Sequence, residues 1–296
     1  MVTDDRRHLG TTFDRAAHLY QDARPDYPEL LFDRLFEVAG LEPGDRVLEV
    51  GAGPGKATLP LVRRGLHITA IEPGQSLAAH ARINLAGYPV EVLETRFEDW
   101  TGPRSEYAAV VAATAWHWVD PGQRYELAAA ALRPGGHLAT WGAEQVFPPG
   151  GDSFFADIQE VYDAIGEGLP EGPPRPAPGE LPDRTAEIEA SGLFDVVAVE
   201  HFDWTVDYDA EAYIQLLSTF SGHIAMPLER REQLFSRSGA ASRRGPAGNC
   251  AAVGAPSCTW PADDRTAFDV SVADPPPGLV KTSGVLGQPH RGQASH

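Results

Sequence analysis

Glu49-Val50-Gly51-Ala52-Gly53-Pro54-Gly55 is the stretch with the clearest chemical content, and it follows directly on the apolar run Val47-Leu48. Glycines at such a junction let the backbone turn tightly and approach a ligand closely. The spacing is G-x-G-x-G, not the G-x-G-x-x-G that seats a dinucleotide pyrophosphate on a helix N-terminus. Glu49 stands two residues before the first glycine, where it would repel a phosphate and attract an ammonium group. Glu72 ends the next apolar run, about twenty residues on, where a carboxylate can take both hydroxyls of a ribose. The plain alternative is a tight strand–helix turn with no ligand.

A second loaded stretch is Ala115-Trp116-His117-Trp118-Val119-Asp120. His117 is a candidate general base for an oxygen, nitrogen or carbon nucleophile. The alternative is that His117 and both tryptophans pack as a pocket wall, since many group transfers need only proximity and alignment. Both readings stay open on the sequence. Metal chemistry has no support: there is no Cys-x-x-Cys and no His/Cys cluster, so no metal ligand is expected.

These residues sit at the ends of a regular alternation. Arg46–Val50, Ile68–Ile71, Val90–Leu93, Tyr107–Ala113 and Gly136–Trp141 read as strands. Lys56–Arg64, Ser76–Ala86 and Gly122–Leu132 read as the helices between them. That order predicts an α/β fold, a Rossmann-like parallel sheet with helices on both faces. Before it, residues 11–40 have helical spacing broken by Arg24-Pro25-Asp26-Tyr27-Pro28. After it, Phe154–Ile165, Ala210–Phe220 and Pro227–Phe235 read as helices and Phe194–Val206 as a strand. Between them Gly168–Pro182 is a proline-rich loop.

Composition excludes several partners. The chain of 296 residues carries 42 acidic and 24 basic side chains, a formal charge of −18. Such a balance argues against binding a nucleic-acid backbone or an anionic membrane. The longest apolar run, Tyr107–Trp116, is too short to span a bilayer, and the first ten residues have no apolar signal region. A cytoplasmic protein is expected. Oligomeric state is not legible.

Taken together, these motifs resemble the class I S-adenosylmethionine (SAM)-dependent methyltransferases of the type 11 group, and are similar to its trans-aconitate methyltransferase-like members. Val47–Thr58, Ile71-Glu72-Pro73, Arg96–Trp100 and Leu132–Gly136 match the group's motifs in order. Phe13–Tyr20, Arg24-Pro25 and Tyr27-Pro28 match a helical N-terminal lid. The resemblance implies SAM as cofactor and assigns roles residue by residue. Gly51, Ala52, Gly53 and Gly55 would pass under the methionine and ribose parts. Glu49 would meet the α-amino group, and Glu72, with Pro73 beside it, the ribose diol. Phe97 would lie against adenine and Glu98 would accept from its exocyclic amine. Thr114 and Ala115 would face the sulfonium, with Tyr20 and Trp116 as candidate aromatic faces. Arg24 would reach the methionine carboxylate or an anionic substrate. The expected reaction is methyl transfer to a small-molecule acceptor. Two alternatives are an inactive SAM-binding relative and a nicotinamide-dependent oxidoreductase. The G-x-G-x-G spacing and Glu49 count against the second.

The chain divides into four segments: a helical lid at 1–45, a SAM-binding core at 46–143, a substrate cover at 144–236 and a tail at 237–296. The tail has no Glu and only two leucines. Gly, Pro, Ala and Ser make up 31 of its 60 residues. It offers no clear last strand for the sheet, although Phe268–Val272 alternates suitably, so an incomplete sheet edge is expected. Written in G/C-ending codons and read in the neighbouring frame, 255–262 gives a segment like the group's last strand. An out-of-frame tail is therefore a second expectation.

Overall fold

The computed structural model describes residues 17–145, 154–168, 184–204, 206, 208–241, 257–258 and 266–274. The alternation seen in the sequence becomes a sheet with β1 at Arg46–Val50, β2 at His67–Ile71, β3 at Val90–Leu93, β4 at Tyr107–Ala113 and β5 at Leu132–Gln145. Their order is β3-β2-β1-β4-β5, all parallel. The strand order reverses between β1 and β4, so a ligand crevice is expected outside the carboxyl ends of these two strands. Glu49, the glycine loop and Thr114 all fall there.

Both faces of the sheet are covered because the strand residues are apolar on both sides. Val47, Ala109, Val111 and Trp141 pack under helices α2 (Glu29–Ala39) and α3 (Thr58–Arg63). Leu48, Val110, Ala112 and Leu138 pack under α5 (Arg124–Ala131). Helix α4 (Gln75–Asn84) connects β2 to β3, and α1 (Ala17–Ala23) precedes the Arg24–Pro28 break. The break is present in the fold: α1 stops at Ala23, and Pro28 is the extended N-cap of α2. Residues 11–16 of the expected helical lid lie outside the described residues.

The remaining helices are α6 (Phe154–Ala164), α7 (Thr185–Ala190), α8 (Ala210–Leu217), α9 (Ser221–Ala225) and α10 (Leu228–Ala241), with β6 at Asp195–Trp204. Ile158, Tyr208, Tyr213, Leu216 and Leu217 form a separate apolar cluster within this helical cover. Short β7 (Tyr208–Asp209) pairs with β8 (Ser257–Cys258). The expected loop at 168–182 lies, from residue 169 on, outside the described residues.

One expectation is corrected. The sheet is not left incomplete: β9 (Thr266–Asp274) lies between β5 and β6 and pairs antiparallel with both. Its register runs from Leu138↔Ala273 to Gln145↔Thr266 on one side and from Asp195↔Asp274 to Trp204↔Thr266 on the other. The tail supplies the strand in its own frame, which removes the missing strand as an argument for an out-of-frame tail. The frame itself is decided by the gene's nucleotide sequence. Helix α10 also runs through Ala241, across the composition change at 236/237.

Candidate active site

The glycine loop is fixed by its neighbours on both sides. Gly51 and Ala52 donate their backbone N–H to the Ile71 carbonyl at 2.8 and 3.1 Å. Gly51 has φ +72°, and a Cβ there would lie 2.4 Å from the Ala115 Cβ. Only glycine fits, because the loop is pressed against Ala115, just beyond the end of β4. Gly53 and Gly55 also take positive φ.

Glu49 ends up inside the protein. It is 1% exposed, and neither carboxylate oxygen has a hydrogen bond. Burial pushes its carboxyl up to about 8. The nearby Thr58 hydroxyl pulls down, and the Glu72 charge adds a further push upward. Glu72 is 6% exposed, and its two oxygens accept from the backbone N–H groups of Gly53 and Gly74, each at 2.8 Å. Its carboxylate thereby bridges the glycine loop and the start of α4, with the exposed Pro73 between.

At the end of β4, Thr114 holds φ +52°, a left-handed conformation that is rare for a β-branched residue. Such strain is of order 1–3 kcal/mol and must be held by the surroundings. Its N–H donates to the Trp141 carbonyl at 2.7 Å, and its hydroxyl is 3.2 Å from the Tyr27 hydroxyl. Burial holds the Tyr27 phenol well above its ordinary range, so it stays protonated. Ala115 is buried against the glycine loop.

Residues 47–136 match a methyltransferase-domain family. An uncharacterized methyltransferase of Mycobacterium tuberculosis is 31% identical over 237 residues, covering 80% of this chain and 87% of that protein. The chain belongs to the class I SAM-dependent methyltransferases. A ubiquinone biosynthesis O-methyltransferase of Hahella chejuensis is 30% identical over 136 residues, 43% of this chain and 57% of that one. Among solved structures, an Anaeromyxobacter dehalogenans protein assigned as a type II methyltransferase superposes with a TM-score of 0.60. It is 21% identical and covers 85% of this chain and 97% of that chain, a likeness of fold. This membership removes the oxidoreductase alternative.

The methyltransferase's residues suit SAM on their own chemistry. A buried carboxyl without a partner fits an ammonium group, and the loop that only glycine can form leaves its backbone open to close approach. Other expected site residues are placed differently. Phe97 is 2% exposed, its ring packed near Trp100 and Trp116. In the free protein this ring belongs to the cluster that also holds Val50, Ile71 and Trp116. Glu98 uses Oε1 to accept from the Asp120 N–H at 2.9 Å and from Arg96 at 2.8 Å. His117 lies on a 3-10 turn (Trp116–Trp118) and is exposed, with its ring 4.6 Å from that of Trp118.

Arg24 is turned toward the cover. Its Nε donates to the Thr219 hydroxyl at 2.7 Å and its Nη2 to the Thr219 carbonyl at 3.1 Å. The guanidinium lies 4.1 Å from the Phe220 ring centre and 5.3 Å from that of Tyr20. Among the described residues, Nη1 has no partner and remains available for a ligand carboxylate. Nearby, His223 shares a 2.6 Å hydrogen bond with the Tyr162 hydroxyl. Burial, then the charges of Arg24 and Arg231, push this imidazole down to about 4.

Sequence reasoning missed Thr219, Arg124 and Glu187. Arg124 is 6% exposed, donates to the Trp116 carbonyl at 2.8 Å and pairs with Glu187. Burial opposes ionisation of Glu187, but the Tyr125 hydroxyl and Arg124 outweigh it and hold the carboxyl below its ordinary range. No short motif announces such pairs. Among the described residues no group of three His, Cys, Asp or Glu could hold a metal ion. No described helix is long and apolar enough to cross a membrane.

Proposed function

We propose that this methyltransferase moves the methyl group of SAM to a small-molecule acceptor. The observation that carries the donor assignment is Glu49, a buried carboxyl with both oxygens unpartnered at the strand-order switch point. Glu49 takes the donor's α-amino group, directly or through water. Glu72 takes the ribose hydroxyls while its backbone bonds keep Gly53 and Gly74 in place. Gly51, Ala52, Gly53 and Gly55 let the loop pass beneath the donor. The carboxyl of Glu98 receives the adenine amine on Oε2. Thr114, Ala115 and Tyr20 line the side where the methyl group is presented, and the Nη1 of Arg24 reaches a carboxylate.

Bound SAM supplies an activated methyl group on a sulfonium. The chain's own work is alignment and exclusion of water. Segments 1–45 and 144–236 act as lid and cover. Arg24 joins them through Thr219, and Tyr27 joins the lid to Thr114. A cover of this kind, on a chain of charge −18, favours a small acceptor over a nucleic acid. The H. chejuensis relative, named for ubiquinone biosynthesis, supports an oxygen acceptor as one class to try.

Titration with S-adenosylhomocysteine and with NAD, followed by a screen of small acceptors with labelled SAM, tests this reading. Binding of the first and none of the second, with label transferred to a small molecule, is the expected result. Label appearing only on RNA or protein would overturn the acceptor assignment.

A further inference from the structure

We propose that Arg124 is a positioning residue for the donor site, with Glu187 as the counter-charge that holds it there. This rests on the donor-site reading above, since it concerns the turn that closes that site.

The turn from Thr114 to Asp120 begins in a strained conformation, and within it the Trp118 and Val119 N–H groups donate to the carbonyls of Ala115 and Trp116 at 2.9 and 3.3 Å. Thr114 is left-handed, and Ala115 presses on Gly51. Neighbouring side chains also hold the turn, at its far end and in its middle. At the far end, the Asp120 N–H donates to Glu98, and the Arg124 N–H donates to the Asp120 carbonyl at 3.0 Å. In the middle, the Trp116 carbonyl accepts from Arg124 Nη1 at 2.8 Å. Trp116 itself is 1% exposed, with Phe97 on one side and Tyr125 on the other, ring centres 6.4 and 5.5 Å away. The Arg124 guanidinium lies 5.7 Å from the Trp116 ring and 5.4 Å from the Tyr125 ring. Trp116 is thus gripped through both its carbonyl and its ring by one buried cation.

The other end of that cation leaves the sheet domain. Arg124 Nη2 pairs with Glu187 of α7, which also accepts from the Tyr125 hydroxyl at 2.7 Å and pairs with Arg184 at 3.2 Å. A planar fork serves this geometry: one nitrogen takes the carbonyl and another the carboxylate at a fixed angle. Arg124 also lines a groove of about 470 Å³ with Pro121, Gly122, Tyr125, Glu187 and Leu193. Small guanidinium ions therefore have a way to the position its side chain fills. The position of the donor-site turn thereby depends on α7, through the Glu187 carboxylate.

The test uses the full chain and S-adenosylhomocysteine affinity. Wild-type protein that does not bind this ligand overturns the donor-site reading itself. If it binds, Arg124→Ala is expected to weaken affinity roughly tenfold. Added guanidinium ions should recover much of the loss while leaving wild type unchanged. Arg124→Lys should stay weak, because an ammonium cannot serve both the Trp116 carbonyl and Glu187 in that plane. A folded Arg124→Ala with wild-type affinity overturns the inference. So does a loss that lysine restores and guanidinium does not. Should Arg124→Ala fail to fold, Glu187→Ala decides at its partly exposed position: a several-fold loss supports the inference, and unchanged affinity overturns it.

Discussion

The sheet edge and the helical cover treat their ionisable groups in opposite ways. Glu49 at the edge is buried with no partner for either oxygen, whereas Arg24 under the cover is met by Thr219 twice and by two aromatic rings. A buried carboxyl left without partners is costly unless something else completes it. An arginine already paired with another segment acts as a structural tie where it stands. On the proposed donor site, the difference separates a carboxyl open to a ligand from an arginine that ties two segments while leaving Nη1 toward one.

Glu49→Gln should break that comparison with the largest effect. The side chain keeps its shape but cannot ionise, so a ligand ammonium would be buried without a counter-charge. That situation is worth about 3–5 kcal/mol, a loss of S-adenosylhomocysteine affinity beyond a hundredfold by titration calorimetry. The free protein should lose little stability, because the Thr58 hydroxyl beside the wild-type carboxyl can face an amide oxygen equally well. The same group sets a pH dependence. Its carboxyl sits near 8 in the fold against an ordinary 4.5, so the folded state binds the extra proton between those values. Stability of the free protein therefore falls as pH rises through that window, by about 1.4 kcal/mol per unit at most. Ligand affinity moves the other way, rising toward pH 8 as the carboxyl ionises. Glu49→Gln should flatten both trends, and trends that persist in it would assign them elsewhere.

Glu72→Ala comes next. Charge-assisted hydrogen bonds to the ribose are worth about 1.5–3 kcal/mol, so affinity should fall roughly ten- to a hundredfold. Unlike Glu49→Gln, it should also lower the melting temperature, since Gly53 and Gly74 lose an acceptor. Unchanged affinity would show that Glu72 only braces the loop.

In the cover the sign of the pH effect reverses. His223 is held near 4 against an ordinary 6.5 by burial and by the arginine charges. The unfolded chain binds the proton first, so this contribution is lost as pH falls from 6.5 toward 4. Between 4.5 and 6.5 the two regions oppose each other, and above 6.5 Glu49 acts alone. Denaturant melts of His223→Gln should be less acid-sensitive than wild type. Equal sensitivity would mean that the imidazole does not set the acid limb.

What the sequence made legible divides along the same line. The five parallel strands, Glu49, the glycine loop and Glu72 are each announced within a dozen residues, because a strand end and its turn are continuous in the chain. The cover's links are not. Arg24 meets Thr219 across 195 positions, and Arg124 meets Glu187 across 63. Helices α7 and α9 span six and five residues, too few turns for a periodic pattern. Strand β9 is visible as alternation in Phe268–Val272, but its place between β5 and β6 depends on pairing between segments far apart in the chain.

The smallest effect is expected at His117, on the turn that follows β4. Its ring is exposed and rests against Trp118, while the neighbouring Trp116 is fully buried. An exposed ring adds little to a buried site, so His117→Ala should bind S-adenosylhomocysteine within about twofold of wild type. Turnover on an acceptor found by the labelled-SAM screen then separates the two roles left open. A general base gives lost turnover with donor binding intact. A packing residue leaves turnover near normal, and methyl transfer then rests on alignment alone. An exposed base could still serve if the acceptor covers it, because the acceptor would supply the burial that the free protein lacks. For that reason the pH–rate profile of wild type is the sharper measurement: a limb near an ordinary histidine value that vanishes in His117→Ala would place the proton transfer there.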